Sequence, residues 1–183
     1  MNNMFKEAKA FNGIVSEWDT AKVTLMHHMF NQARDFNGDF SKWDTAQVTN
    51  MGGMFNEAEV FNGDLSKWNT AQVTDMWAMF KASAFNGNIS EWNTAKVVRM
   101  DNMFQETTDF NGDVSKWDTA KVTEMEQMFD QATSFNQDLS KWNTNGVVAC
   151  STFAVGSACL PEGGGPHGGK ITCGALLASC NPS

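Results

Sequence analysis

The sequence predicts an α/β repeat solenoid, with one short parallel strand and one short helix in each turn of about 25 residues. The first observation is a regular tryptophan column, and the second is a pair of phenylalanine columns at the same spacing. The third is an apolar pattern within each repeat that changes from strand-like to helix-like. Tryptophan recurs at steps of 25 or 24 residues, at Trp18, Trp43, Trp68, Trp92, Trp117 and Trp142. Such a period indicates units that bury their apolar faces only when neighbours stack on them.

The strand is predicted directly after each Phe-Asn-Gly sequence. Residues 39–42 read Asp-Phe-Ser-Lys, which places one apolar residue between polar neighbours. The equivalent apolar positions hold Val15, Phe40, Leu65, Ile89, Val114 and Leu139. These residue types favour strands, and we expect them to point into the core while their polar neighbours face solvent.

The helix is predicted over the segment Val-Thr-x-Met-x-x-Met-Phe-x-x-Ala. Its apolar residues fall on one helical face, at Val48, Met51, Met54, Phe55 and Ala58. The threonine after the valine suits an N-cap. The pair at 52–53, Gly-Gly, weakens the helix of one repeat, and Trp77 lies on a predicted helix outside the tryptophan column.

Charge and composition exclude several function classes. The net charge of −8 disfavours nucleic acid and anionic membranes, and it favours cationic partners. No apolar run approaches the roughly 20 residues of a membrane span, so no membrane insertion is expected. The N-terminus has no basic segment followed by an apolar one, so no signal peptide is expected in this chain. The three histidines, at 27, 28 and 167, have no partnered nucleophile, and we expect no enzymatic activity.

The composition changes near the C-terminus, which divides the chain into a repeat domain (residues 1–153) and a Gly/Cys-rich segment (residues 154–183). The four cysteines are Cys150, Cys159, Cys173 and Cys180. Their even number predicts two disulfides of open connectivity in an oxidising compartment, and a zinc site is the rival, although no Cys-x-x-Cys pair occurs. The segment either caps the last repeat or acts as an arm that forms a homodimer.

The repeat also predicts rows of equivalent side chains, about 4.8 Å apart. One row consists of Asp39, Asp64, Asn88, Asp113 and Asp138. Repulsion between its carboxylates is relieved either by the lysines three residues further on or by bound Ca²⁺. A second row consists of Thr20, Thr45, Thr70, Thr94, Thr119 and Thr144; it caps turns or orders water as ice-binding surfaces do. The tryptophan row forms core or stacks on sugars.

The repeat from 61 to 80 reads Phe-Asn-Gly-Asp-Leu-Ser-Lys-Trp-Asn-Thr-Ala-Gln-Val-Thr-Asp-Met-Trp-Ala-Met-Phe. It resembles the BspA-like leucine-rich repeats of bacterial and protist surface proteins, in the variety with Trp-Asp-Thr, Val-Thr-x-Met and Met-Phe motifs. The resemblance covers residues 1 to about 153, although most leucine positions here hold Phe, Met or Trp. It implies a leucine-rich-repeat-like right-handed superhelix, an extracellular or cell-surface location, and adhesion or recognition without catalysis.

Together these observations predict a non-enzymatic recognition or adhesion protein that binds a protein or glycan ligand. The predicted binding face consists of Asp39, Ser41, Asp64, Ser66, Asn88, Ser90, Asp113, Ser115, Asp138 and Ser140. The first alternative is a calcium-binding structural scaffold that self-associates through the C-terminal arm, with the aspartate row as its metal site. Ice binding through the threonine row is a more remote alternative.

Overall fold

The computed structural model describes residues 1–158. Each repeat forms one flat layer, and consecutive layers stack so that a residue lies against its equivalent 24 or 25 positions away. The chain shows this through single parallel bridges that join Leu25 to Asn50, Asn50 to Asp75, Asp75 to Arg99, Arg99 to Glu124 and Glu124 to Ala149. One bridge per layer holds neighbouring repeats in register.

The predicted α/β secondary structure is wrong. Residues 1–158 contain no helix and no strand longer than a single bridge, and most of them lie in turns and loops. The α/β repeat solenoid, and the leucine-rich-repeat-like turn built from one strand and one helix, are therefore not the fold of this chain. The backbone hydrogen bonds explain why.

Backbone N–H groups in the predicted helix alternate between two kinds of partner. The N–H groups of residues 51, 53, 55 and 57 donate to carbonyls of the next layer, at 75, 77, 79 and 81, over 2.6 to 3.0 Å. Those of residues 54, 56 and 58 instead close turns to the carbonyl three residues back, over 3.1 to 3.2 Å. In an α-helix, N–H groups beyond the first turn donate to carbonyls four residues back, so they are not available to a neighbouring layer. Bonding between layers replaces the helix.

Left-handed residues make this alternation possible. Gly53 and Glu57 have φ values of 61° and 55°, and the equivalent pair in the first layer, Asn3 and Glu7, has 58° and 64°. Each left-handed residue reverses the local curvature, so the chain stays flat instead of coiling. The apolar residues of the predicted helical face still point inward, because Val48, Met51, Met54, Phe55 and Ala58 are fully buried.

The predicted strands are also absent. The Asp39 carboxylate accepts the N–H of Ser41 at 2.8 Å, and Trp43 donates its N–H to the Phe40 carbonyl at 3.0 Å, which makes residues 39–43 a pair of turns. Aspartate and asparagine favour such turns because their side chains bond the backbone two residues on. Parallel pairing occurs instead at Asn50 and its equivalents.

Aromatic side chains fill the core in continuous columns. The alignment of the tryptophans is confirmed, because consecutive rings of the column stack with centroids 6.3 to 6.5 Å apart and interplanar angles of 1° to 14°. Within one layer, Phe55 stacks on Phe61 at 3.8 Å, and Phe40 meets Trp43 edge to face at 4.7 Å. Such aromatic pairs stabilise a fold by about 0.5–1.5 kcal/mol each beyond the area they bury.

Five of the six threonines of the row are internal, and Thr144 is half-buried. Thr45 donates its hydroxyl to the Asn69 carbonyl at 3.1 Å, and the Asn69 N–H donates back to Thr45 Oγ1 at 2.9 Å. The buried members of the row are Thr20, Thr45, Thr70, Thr94 and Thr119. These hydroxyls join layers and are not presented to solvent, which removes the basis for the ice-binding alternative.

Candidate functional site

The predicted binding face lies on the surface as a row of turns. Asp39, Asp64, Asn88, Asp113 and Asp138 are exposed, and the paired serines are exposed or half-buried. Each member of the row accepts the N–H of the serine two residues on, over 2.8 to 3.1 Å. We call these residues the aspartate row.

Serine hydrogen bonds set the charge state of the aspartate row. The backbone N–H and hydroxyl of Ser41 hold the pKa of Asp39 below its ordinary value, and those of Ser66 and Ser115 do the same for Asp64 and Asp113. The pKa of Asp138 is lowered in the same way by its serine. The carboxylates are therefore ionised at neutral pH, and each already accepts a hydrogen bond within its own turn.

The structure does not gather metal ligands around this row. Within residues 1–158, no group of three or more His, Cys, Asp or Glu side chains is arranged to hold a metal ion. Calcium binding by the aspartate row therefore stays a prediction. Of the predicted disulfide residues, Cys150 lies in the last described layer, and Cys159, Cys173 and Cys180 lie outside the described residues, as does most of the predicted cap or arm.

A second surface is built where the layers are bridged. We call the residues at the bridge positions the bridge face: Leu25, Asn50, Asp75, Arg99, Glu124 and Ala149. No two of these neighbours carry the same side chain, in contrast to the tryptophan and phenylalanine columns. The Asn50 amide donates to Asp75 Oδ2 at 3.1 Å, and Arg99 Nε donates to Glu124 Oε2 at 2.9 Å. Polar groups of consecutive layers are thus connected across this face.

Arg99 is the centre of the charges on the bridge face. Its guanidinium lies 3.2 Å from Asp101, 2.9 Å from Glu124 and 3.7 Å from Asp75. Burial opposes the charge of Arg99, but the neighbouring acids, Asp101 first, outweigh it and raise the pKa of the arginine. Burial raises the pKa of Asp101, and Arg99 acts against that shift. One cation is therefore shared by three acidic groups.

Next to this network the surface has a hollow with a volume of about 270 Å³. It is lined by His27, His28, Asn50, Gly52, Asp75, Trp77 and Arg99. The Trp77 ring is half-buried, and the Arg99 guanidinium carbon lies 6.0 Å from its centroid. The His28 ring meets Trp77 edge to face, with centroids 5.6 Å apart and an interplanar angle of 79°.

Two glycines beside the hollow allow His28 to contact Trp77. His28 and Trp77 belong to layers that are separated by the layer of Gly52 and Gly53, yet their rings touch. A Cβ atom at Gly53 would lie 2.5 Å from His28 Nδ1, and one at Gly52 would lie 3.3 Å from Asn50 Oδ1. The missing side chains of the middle layer therefore leave room for the His28 ring, which lies over Gly53 and reaches Trp77.

The two histidines have different environments. Burial lowers the pKa of His28, and the nearby charges of Lys6 and His27 add to the shift while Asp75 opposes it. The Nδ1 atom of His27 is buried and has no hydrogen-bond partner among the described residues. A buried polar atom without a partner costs free energy.

Sequence reasoning missed this site. The glycine pair counted only as a weakness of a predicted helix, the histidines only as residues without a partnered nucleophile, and Trp77 as a residue outside the tryptophan column. A usable signal was present, because His27, Gly52 and Trp77 occupy the same repeat position in three consecutive repeats. Residues that depart from a repeat at one shared offset are brought together when the repeats stack.

A family model described as "Mycoplasma protein of unknown function, DUF285" matches residues 1–84 and again residues 67–158. No curated protein and no solved structure matches the chain. At the level of the family, the resemblance to BspA-like surface repeat proteins stands. In the part of the chain that the structure describes, no helix has the length and apolar character of a membrane span.

Proposed function

The chain belongs to the DUF285 family of BspA-like surface repeat proteins, and on that premise we propose that it is a non-enzymatic recognition module that binds a protein or glycan ligand at a cell surface. The ligand is bound on the bridge face, at the hollow between His28 and Trp77. The 25-residue Trp-Asp-Thr and Val-Thr-x-Met repeat is, in this proposal, the unit that builds the face.

One observation carries the proposal. The repeats are nearly identical where their side chains stack, and they differ where His27, Gly52 and Trp77 meet. The tryptophan and phenylalanine columns keep the same residue from layer to layer, since each ring stacks on its own copy. Binding requires a particular set of different residues. The hollow places a half-buried aromatic ring beside amide, carboxylate and guanidinium groups, so it offers a ligand both a packing surface and hydrogen-bond partners.

The experiment is a binding array of extracellular matrix proteins and glycans probed with the labelled chain and its variants. The wild-type chain is expected to bind at least one component, and Trp77→Ala is expected to weaken that binding at least about tenfold. Glu126→Ala is the matched control, because Glu126 occupies the repeat position of Trp77 two layers away and is exposed.

The aspartate row is the competing surface. The double variant Asp64→Asn with Asp113→Asn keeps the turn acceptors and removes two charges. If this variant loses binding while Trp77→Ala retains it, the ligand binds the aspartate row and the proposed location is wrong. If no array component binds the wild-type chain, the recognition function itself is contradicted.

A further inference from the structure

Resting on the proposed function, we propose that the hollow binds one uncharged pyranose ring, such as the terminal sugar of a glycan, with a face of the sugar against Trp77. The inference names the ligand class of that site. It follows from the size of the hollow, its mixture of groups and the balance of its charges.

Size limits the ligand to one ring or one side chain. The hollow measures about 270 Å³, just below the roughly 300–1,000 Å³ range of small-molecule pockets. It extends across the layers from His28 to Arg99, so it is broad and shallow rather than deep. A flat ring fits such a shape better than a bulky side chain with a long stem.

The groups around the hollow suit a ligand with an apolar face and a polar edge. A pyranose presents C–H groups on its faces, which pack on an aromatic ring, and hydroxyls around its edge. Each hydroxyl both donates and accepts hydrogen bonds. Asn50, Asp75 and Arg99 offer donors and acceptors side by side. They are held in place by the 3.1 Å hydrogen bond that the Asn50 side-chain amide donates to Asp75, and by the ion pairs of Arg99. Such preorganisation reduces the entropy cost of binding.

The charges around the hollow oppose charged ligands, most strongly anions, because three acidic groups surround one arginine. An anionic group entering the hollow meets Asp75, and the guanidinium that would attract it is already shared with Asp101 and Glu124. A lysine or arginine side chain that sought the face of Trp77 meets Arg99, whose guanidinium carbon lies 6.0 Å from that ring. Like charges in this position repel. An uncharged ligand has neither conflict.

The test is a titration of the full chain, followed by NMR of the indole N–H groups, with seven small probes. These are the methyl glycosides of glucose, galactose, mannose and N-acetylglucosamine as uncharged sugars, glucuronic and N-acetylneuraminic acids as anions, and Nα-acetyl-lysine amide as the cation. The Trp77 signal is assigned from Trp77→Phe. At least one uncharged glycoside is expected to shift it, with a Kd of about 1–10 mM, typical of weak single-ring ligands.

Four variants make the result specific, and their affinities are compared by ligand-observed NMR because the two Trp77 variants lack the Trp77 signal. Trp77→Ala is expected to weaken binding at least about tenfold, and Trp77→Phe, which keeps an aromatic face, by less than about threefold. Asp75→Asn keeps the size of the side chain but alters an acceptor, and it is expected to weaken binding at least about fivefold. Glu126→Ala is expected to bind like the wild type. Asp75→Asn keeps the test decisive if Trp77→Ala does not fold.

The proposal is overturned if a charged probe binds the hollow more tightly than every uncharged sugar, or if no glycoside shifts the Trp77 signal. This failure is distinct from that of the proposed function. If no glycoside binds while an array ligand still depends on Trp77, the hollow recognises something other than a sugar and the recognition module stands. If the array binding is also independent of Trp77, both are contradicted.

Discussion

The tryptophan column and the bridge face are built from the same repeats and use them in opposite ways. In the column, each ring stacks on its copies in the neighbouring layers, and Trp92 and Trp117 each donate Nε1–H to a carbonyl of the preceding layer, at Leu65 and Ile89, over 3.1 Å. On the bridge face, Asn50, Asp75 and Arg99 occupy equivalent positions, but the Asn50 amide donates to Asp75 while the Arg99 guanidinium donates to Asp101 and Glu124. Identity between layers provides stability, whereas variation between layers provides a site.

The largest expected effect is on stability, from a change inside the stack. Phe55 is fully buried and stacks on Phe61 at 3.8 Å, Phe30 at 5.7 Å and Phe80 at 5.9 Å. Phe55→Ala is expected to lower the free energy of unfolding by about 3–5 kcal/mol, since it leaves a cavity where the ring contacted aromatic rings of three layers. Urea denaturation measures the change. A loss no larger than that of Trp77→Ala would contradict the division of roles between the two regions.

The next effect tests the charge network of the bridge face. Arg99→Met leaves Asp75, Asp101 and Glu124 without their cation. Since the Arg99 side chain is 39% exposed, the expected loss is below that of a fully buried ion pair, about 1–2 kcal/mol at pH 7. The measurement is urea denaturation at several pH values.

The sign of its pH dependence follows from Asp101. The folded pKa of this buried carboxyl is already raised, and removing Arg99 raises it further. A group with a raised carboxyl pKa binds more protons when folded, so it destabilises the fold as pH rises from its unfolded pKa through its folded pKa. The loss caused by Arg99→Met is therefore expected to be larger at pH 7 than at pH 4. An equal loss at both values would show that Asp101 is not the group responsible.

A smaller effect sharpens the description of the tryptophan column. Trp43 Nε1 donates to the Val15 carbonyl at 2.9 Å, while the buried Trp68 Nε1 has no hydrogen-bond partner among the described residues. Trp43→Phe and Trp68→Phe remove the same area, but only the first breaks a hydrogen bond. Trp43→Phe is expected to cost about 1 kcal/mol more, measured by thermal or urea unfolding. Equal losses would mean that the indole bond adds nothing to ring stacking.

The smallest effect is expected in the aspartate row. Asn88 accepts the N–H of Ser90 at 3.1 Å just as the aspartates do in other layers, so Asp113→Asn is expected to leave the Tm at pH 7 nearly unchanged. The depressed pKa of Asp113 stabilises the fold above its unfolded pKa, and this contribution is lost as pH falls through the folded pKa. The variant is therefore expected to lose less stability than the wild type between pH 5 and pH 2, by thermal unfolding.

Calcium provides a further test of the same row. If millimolar Ca²⁺ raises the Tm of the wild-type chain, and Asp64→Asn with Asp113→Asn removes that rise, the aspartate row is a metal site. The calcium-scaffold alternative then becomes the better account of this surface. An unchanged Tm leaves the row as a set of turns.

Sequence reasoning identified the core side chains but not the backbone that carries them. The spacing of Val48, Met51, Met54 and Phe55 correctly marked an inward face. A helix and a series of left-handed turns place residues three or four apart on the same side, so side-chain periodicity did not distinguish them. What decided between them is the alternation of N–H groups toward the next layer, which involves residues 24 or 25 positions away.

The candidate site was equally beyond local reasoning. The aspartate row was predicted as a binding face because its residues are polar and recur in every repeat. In the structure these residues recur because each one closes a turn with the serine two residues on. The hollow depends on a contact between His28 and Trp77 across a layer that lacks side chains. Such a contact joins residues of two different repeats, so it cannot be predicted from the pattern within one repeat.

By itself the sequence determined the register of the layers, because each aromatic ring packs against its own copy and a shift would break every column at once. It also determined the net charge and the identity of the buried residues. Only the tertiary structure decided the backbone conformation and the place of the hollow. The physical reason is that half of the N–H groups in the Met-Phe segment are satisfied by another layer, so their conformation depends on a neighbour that the local sequence does not contain.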